Sequence, residues 1–252
     1  MANPASTPPC LISLRPAGQH GALRRAAARH GLRVLAVSPW RLQARDDAGT
    51  RDALATALAA PAVVFTSPAA VRAAAKLQRL DAMGGTQWLA VGEGTAQALQ
   101  RVGVDEVQKP TRMDSEGLLA LPALTHPGRV GLVTAPGGRG VIAVELARRG
   151  AEVLRADVYA RIAQPLSAHT LRRLARLQAP WALAVSSGEA LQRVFADLPA
   201  DLRARWQQQP VVVASARLAA LANELGFVHV VQAAGPRPAQ LVAALVPRSA
   251  TD

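Results

Sequence analysis

Tyr159 is the only tyrosine in the 252-residue chain, and its surroundings suit a reactive phenol. It lies in RVGLVTAPGGRGVIAVELARRGAEVLRADVYARI, residues 129–162, a segment whose pattern predicts one strand–helix–strand unit. Residues 130–134 form a short apolar run of strand length, broken by Ala135-Pro136-Gly137-Gly138. Helical spacing continues through Ile142 and Leu146 to Gly150, which falls where a left-handed C-terminal turn belongs. Residues 152–158 then predict a second strand that delivers Tyr159 at its end. A strand end beside a glycine-rich turn is where open α/β sheets put their chemistry. A partly buried packing role is the alternative for a lone tyrosine.

Other polar residues cluster at predicted helix starts. Thr66-Ser67 follow the apolar strand 63–65 and supply a cap, with Pro68 at the favoured first helical position. Gly92-Glu93-Gly94-Thr95 opens a helix after strand 88–91, and Asp114-Ser115 caps the helix carrying Leu118, Leu119 and Leu121. Ser186-Ser187 follow WALAV in the same way as Thr66-Ser67 follow their strand. Capping alone accounts for such hydroxyls. The free N–H groups and positive dipole end of a helix start also suit a carboxylate.

The elements that must position these residues occur twice. A strand at 11–14, the turn Arg15-Pro16-Ala17-Gly18, a helix to about His30, Gly31 and a strand at 33–37 repeat the 129–162 unit at an offset of 119. Trp40 then falls opposite Tyr159. WALAVSSGEALQRVF repeats the Thr66-Ser67 unit at an offset of 120, and PVVVASARLAALANELGF repeats 88–104 at an offset of 123. The helix around Leu241 repeats that around Leu118. The polar stretch 41–51 is expected to be a connection, with a helix near 52–58. A short strand is expected at 104–107. Strands alternating with helices imply parallel sheets. The fold class is therefore α/β, as two similar flavodoxin- or Rossmann-like domains with connections near 40–45 and 160–165.

Composition limits the function. Half of the residues are apolar but only 3% are aromatic, so Ala, Leu and Val fill the interior. The net charge is +12, and the only lysines are Lys76 and Lys109. A bias toward arginine is one explanation; an anionic partner is the other. Scattered cations without interleaved aromatics disfavour a dedicated single-strand nucleic-acid binder. Cys10 stands alone, which excludes a disulfide framework, and the five histidines show no pair at metal-ligand spacing. No apolar run reaches membrane-spanning length. Residues 1–9 lack signal-peptide features and are expected to be a loose tail, which points to a cytoplasmic protein.

VFTSPAAV, VGEGTAQAL, SEGLL, the Gly-Gly-Arg turn before a strand ending in Val-Tyr, and AVSSGEAL together resemble the uroporphyrinogen-III synthase family, over roughly residues 10–246. The resemblance implies cyclisation of hydroxymethylbilane, a linear tetrapyrrole with eight carboxylates, with loss of water and inversion of ring D. It implies no cofactor and no metal. It implies one α/β domain inserted in another: 10–40 with 164–247 outside, and 44–161 inserted. Tyr159 matches the family's tyrosine, the candidate proton donor for the leaving hydroxyl. Arg15, Ser67, Thr95, Ser115, Arg139, Ser186 and Ser187 are the corresponding candidates for holding substrate carboxylates. Hydroxymethylbilane synthase is the expected upstream donor; a monomer is expected, with no nucleic-acid or membrane partner.

The sequence departs from the family at one turn. The second-domain counterpart of GEGTA, a Gly-Pro-Thr-like turn in the family, is Ser215-Ala216-Arg217-Leu218-Ala219 here. Either Arg217 takes over a carboxylate contact or this copy is weakened. Two other classes stay open on sequence grounds: a non-catalytic two-lobed binding protein for an anionic ligand, and a basic nucleic-acid-binding regulator.

Overall fold

A computed structural model describes residues 10–80, 85–112, 115–137, 140–178 and 180–245. The 1–9 tail, Asp114, Gly138, Arg139 and the residues beyond 245 lie outside the described residues. The chain opens with β1 (Cys10–Ser13), α1 (Gly21–Ala28), β2 (Arg33–Ala36), β3 (Trp40–Ala44) and α2 (Ala48–Leu58). β4 (Ala62–Phe65), α3 (Pro68–Leu77), β5 (Gln87–Ala90), α4 (Glu93–Gln100) and β6 (Val107–Gln108) follow. Next come α5 (Ser115–Leu119), a 3₁₀ turn at Pro122–Leu124, β7 (Arg129–Thr134), α6 (Val141–Arg148), β8 (Glu152–Asp157) and β9 (Tyr159–Ala163). The remainder is α7 (Ala168–Ala175), β10 (Trp181–Val185), α8 (Gly188–Asp197), α9 (Ala200–Gln207), β11 (Val211–Val213), α10 (Ala216–Glu224), β12 (Val230–Gln232) and α11 (Pro238–Ala243).

Two five-stranded sheets result, in the orders β6-β5-β4-β7-β8 and β12-β11-β10-β1-β2. Every strand pair within them is parallel. Val64 stands between Leu89 and Leu132, and Ile12 between Leu35 and Leu183. The central strands AVVF, CLIS and WALAV are buried at every position. That is the demand a parallel sheet makes when helices cover both its faces. Phe65 and Trp88 stack across neighbouring strands, ring centroids 5.8 Å apart. The duplicated glycines behave alike: Gly31 and Gly150 take φ of +66° and +85°, ending α1 and α6 in left-handed turns. No helix among the described residues is long and apolar enough to cross a membrane.

The chain divides into two compact units. Leu42–Arg161 is continuous in sequence and carries β4 to β8; the residues up to Arg41 and from Ile162 onward form a discontinuous unit around the other sheet. β3 and β9 make a separate two-stranded sheet. Gln164 N–H donates to the Pro39 carbonyl at 2.8 Å at one end, and Arg45 N–H to the Val158 carbonyl at 3.0 Å at the other. One strand ascends as the other descends, so the pair is antiparallel.

Several boundaries differ from those the pattern predicts. β3 occupies part of the expected connection: WRLQA has one buried residue and an otherwise partly or fully exposed face, so it carries no apolar period. Tyr159 opens β9 instead of closing β8. α2 begins at Ala48, where Asp47 accepts from Thr50 N–H at 2.9 Å. The short strand expected at 104–107 is β6, shifted to Val107–Gln108, and α7, α9 and β12 are additional elements.

Gly131 in β7 marks the closest approach of helix and sheet. A Cβ there would lie 2.0 Å from the Ala57 carbonyl oxygen and 2.8 Å from its carbon, both on the α2 backbone. Backbone cannot swing aside as a flexible side chain can. Gly131→Ala should therefore destabilise the fold by about 1–3 kcal/mol or more, the usual range for overpacking. The check is a urea titration; an unchanged midpoint would show that α2 can withdraw from the sheet without cost.

Candidate active site

Strand order reverses once in each sheet, between β4 and β7 in the continuous unit and between β10 and β1 in the discontinuous one. The connections leaving such neighbours go to opposite faces, which leaves a crevice outside the carboxyl ends of the two strands. Most of the sequence candidates fall at these two places.

Thr66 follows β4 and Thr134 ends β7, and the Thr66 hydroxyl donates to Thr134 Oγ1 at 2.8 Å across the reversal. Ser67 caps α3, its Oγ accepting from Ala70 N–H at 3.1 Å. The same Oγ lies 3.2 Å from the Tyr159 hydroxyl, within hydrogen-bond reach with either atom as donor. Tyr159 is 7% exposed, so the ring is packed and the hydroxyl is directed. A recess of about 220 Å³ opens here, lined by Ser67, Ser115, Gly140, Arg155, Tyr159 and Arg161 among others.

Three helix starts contribute to it. α3 is capped by Ser67, whereas the cap position of α6 is Gly140, whose φ is +63° and which has no side chain to cap the helix. The first-turn N–H groups of α6 have no partner within the helix, and Val141, Ile142 and Ala143 line the recess. Ser115 is the first residue of α5. α5 is tied to the far end of α6 by Arg149, whose guanidinium donates to the carbonyls of Leu119 and Leu124 and, through Nε, to Glu145 at 2.9 Å. The Arg148 and Arg149 guanidiniums hold the Glu145 carboxyl down at about 2. Arg155 is fixed at the rim, donating to the Ala135 carbonyl at 3.2 Å and to Asp157 at 3.1 Å.

Arg15 follows β1, and Ser186 and Ser187 follow β10, so these three meet the reversal of the other sheet. Ser187 caps α8, accepting from Ala190 N–H at 3.3 Å, and Ser186 is exposed. Arg15 is half-buried and makes no ion pair among the described residues; burial pulls its guanidinium below the usual range. Arg217 is also drawn here: its Nη1 lies 3.8 Å from where a Cβ on Gly188, the first residue of α8, would stand. Ser215 occupies the cap position of α10 without a side-chain hydrogen bond.

The other candidates separate. Thr95 sits in the first turn of α4 at 2% exposure and is not on the recess wall. Arg139 lies outside the described residues. Thr134, Arg155 and Arg161 are recess residues that the sequence does not single out. Thr134 was within reach, since the 119 offset sets it opposite Arg15. The two arginines look like any others among 29 basic residues.

A family model described as uroporphyrinogen-III synthase HemD matches residues 21–243. The uroporphyrinogen-III synthase of Salmonella typhimurium strain LT2 is 34% identical over 188 residues, 71% of this chain and 72% of that one. The chain belongs to the uroporphyrinogen-III synthase family. The Escherichia coli K12 uroporphyrinogen-III synthase is also 34% identical, over 144 residues, 56% of this chain and 58% of its own. Among solved structures, a mutant uroporphyrinogen III synthase from Thermus thermophilus superposes with a TM-score of 0.60 at 20% identity, covering 94% of this chain and 96% of that one. That likeness is one of fold, and it is the two-domain α/β architecture of the family.

This family member has one buried histidine beside its second crevice. His20 is 3% exposed; Nδ1 lies 2.8 Å from Ser13 Oγ and Nε2 2.9 Å from Ser38 Oγ. Burial, with Arg24 and Arg15 nearby, pushes its pKa from 6.5 down to about 4. A lowered folded-state value means that the unfolded chain binds the proton first, so stability is complete above about pH 6.5 and falls as pH drops toward 4. The loss between pH 7 and pH 5 should be about 2 kcal/mol, with His20→Gln flattening the profile. Urea midpoints at the two pH values test this; equal slopes for wild type and variant would place the acid sensitivity elsewhere.

Proposed function

We propose that the chain is a uroporphyrinogen-III synthase that cyclises hydroxymethylbilane with loss of water and inversion of ring D, with Tyr159 as its proton donor. The observation that carries this reading is the Tyr159–Ser67 pair on the wall of the recess, in a chain of this family. When the hydroxymethyl C–O bond breaks, the departing oxygen takes the phenol proton and leaves as water. One lone pair of Ser67 Oγ is held by Ala70 N–H, so its own O–H is free to donate to the phenolate that remains.

The recess, at about 220 Å³, is below the roughly 300–1,000 Å³ of a pocket that encloses a whole drug-sized ligand. It suits one pyrrole ring with its acid side chains. The first-turn N–H groups of α6, which no side chain among the described residues caps, offer those acids hydrogen bonds, and Arg155 and Arg161 offer positive charge. Ser115 lines the same recess, and Arg139 and Thr95 are further candidates for holding substrate carboxylates. Arg15, Ser186 and Ser187 hold carboxylates at the other crevice. Arg217 beside α8 takes over the contact that the altered turn would otherwise lose.

The domains are 10–40 with 164–247 outside and 44–161 inserted, a reading that the division of the chain at Arg41/Leu42 and Arg161/Ile162 supports. The reaction uses no cofactor. The protein works as a cytoplasmic monomer, receiving its substrate from hydroxymethylbilane synthase. Freshly made hydroxymethylbilane should give type III uroporphyrinogen with the chain present and type I alone without it; type I alone in both cases would remove the enzyme reading. Tyr159→Phe should lower the type III rate by roughly 10²–10⁴-fold, the span for one acid–base group. Its folding stability should change by about 1 kcal/mol at most. Ser187→Ala, by contrast, should cost about 1 kcal/mol as a lost cap. Full type III activity in Tyr159→Phe would pass the proton-donor role to another group.

A further inference from the structure

The net charge of +12 is not shared between the two units. Residues 42–161 hold 14 Lys and Arg against 12 Asp and Glu, while residues 1–41 and 162–252 hold 15 against 5. A bias toward arginine would enrich both halves, and their cations are indeed equal within one. The difference lies in the acids. Asp46 is the first acidic residue of the chain, and none occurs between Asp157 and Glu189.

The consequence is visible in the side chains. In the continuous unit Arg51 pairs with Asp46, Arg129 with Glu152, Arg148 and Arg149 with Glu145, and Arg155 with Asp157. In the discontinuous unit Arg24 and Arg25 on α1, Arg29 just past its end, Arg172 and Arg173 on α7 and Arg176 just past its end are exposed. None of these six makes an ion pair among the described residues. Cations without acids facing them leave a field that reaches into solvent.

The character of that surface selects the partner. All five aromatics of the unit, Trp40, Trp181, Phe195, Trp206 and Phe227, are buried, so no ring is offered for bases to stack on. What is left is charge, which fits a small soluble polyanion. We propose that the discontinuous unit is the capture half of the protein, its uncompensated arginines drawing the polycarboxylate tetrapyrrole toward the molecule before Tyr159 acts. The identity of that polyanion rests on the synthase reading. Such steering raises association rates by roughly 10–10³-fold and fades with ionic strength. The screening length is about 10 Å at 0.1 M salt.

The test uses uroporphyrin, an oxidised macrocycle with eight carboxylates that cannot turn over, and follows its association by stopped-flow fluorescence at low and at physiological salt. Arg172→Gln, Arg173→Gln and Arg176→Gln combined should slow association at low salt by roughly 3–10-fold. The corresponding triple Glu variant should double that effect on a logarithmic scale, and both should converge on the wild type as salt rises. A matched triple in the continuous unit, Arg72→Gln, Lys76→Gln and Arg101→Gln, should slow it less than about twofold. A graded response that salt abolishes cannot come from misfolding. Equal slowing by the two triples, or association indifferent to salt, would overturn the proposal. So would tighter binding of single-stranded DNA than of uroporphyrin, lost in the α7 triple. If these rates behave as expected but no type III product forms, the enzyme reading fails and the capture surface stands.

Discussion

Reversal of strand order in an all-parallel sheet is the constraint on which the rest of this structure depends. Every strand must return to the same end before the next begins, so all carboxyl ends gather on one side. Only where neighbouring strands send their chains to opposite faces is that side left uncovered. The Thr66–Thr134 hydrogen bond spans that gap in one unit, and Arg15 and Ser187 stand beside it in the other. The helix starts, the phenol and the half-buried guanidinium all inherit their positions from it.

Caps and ligand groups compete for the same atoms at these helix starts. Ser67 and Ser187 each commit an acceptor to a backbone N–H, which leaves the hydroxyl proton of each to donate elsewhere. α6, with Gly140 at its cap position, has no side-chain cap among the described residues. The capped start of α3 also holds the phenol, because the same Ser67 Oγ lies 3.2 Å from the Tyr159 hydroxyl. Arg149 completes the arrangement from a distance, keeping α5 with Ser115 against α6 through two carbonyls.

Much of this was legible in the sequence, because duplication prints every pattern twice. The offset of 119 aligns Gly31 with Gly150, and both adopt the left-handed turn. Ser-Pro after an apolar tetrad is a cap signature, and Ser67 is a cap. The illegible parts share a cause: they depend on partners distant in the chain. β3 has no apolar face because it is held by the β9 backbone, so WRLQA looks like a loop. Arg155 and Arg161 acquire meaning only from the recess beside them. His20 gave no signal because its two serines sit seven residues before and eighteen after it.

The pairing of Cys10 with Trp181 carries a consequence for synthesis of the chain. β1 is an interior strand whose second neighbour, β10, leaves the ribosome some 170 residues later. The intervening unit is continuous, so its sheet can close while the amino-terminal strands still wait with one edge unsatisfied. Domains generally fold as units during translation, and exposed strand edges are where chains aggregate. β1 is thus made before the continuous unit and paired with β10 only after it, and until then its edge waits in a stretch, residues 10–45, without a single acid.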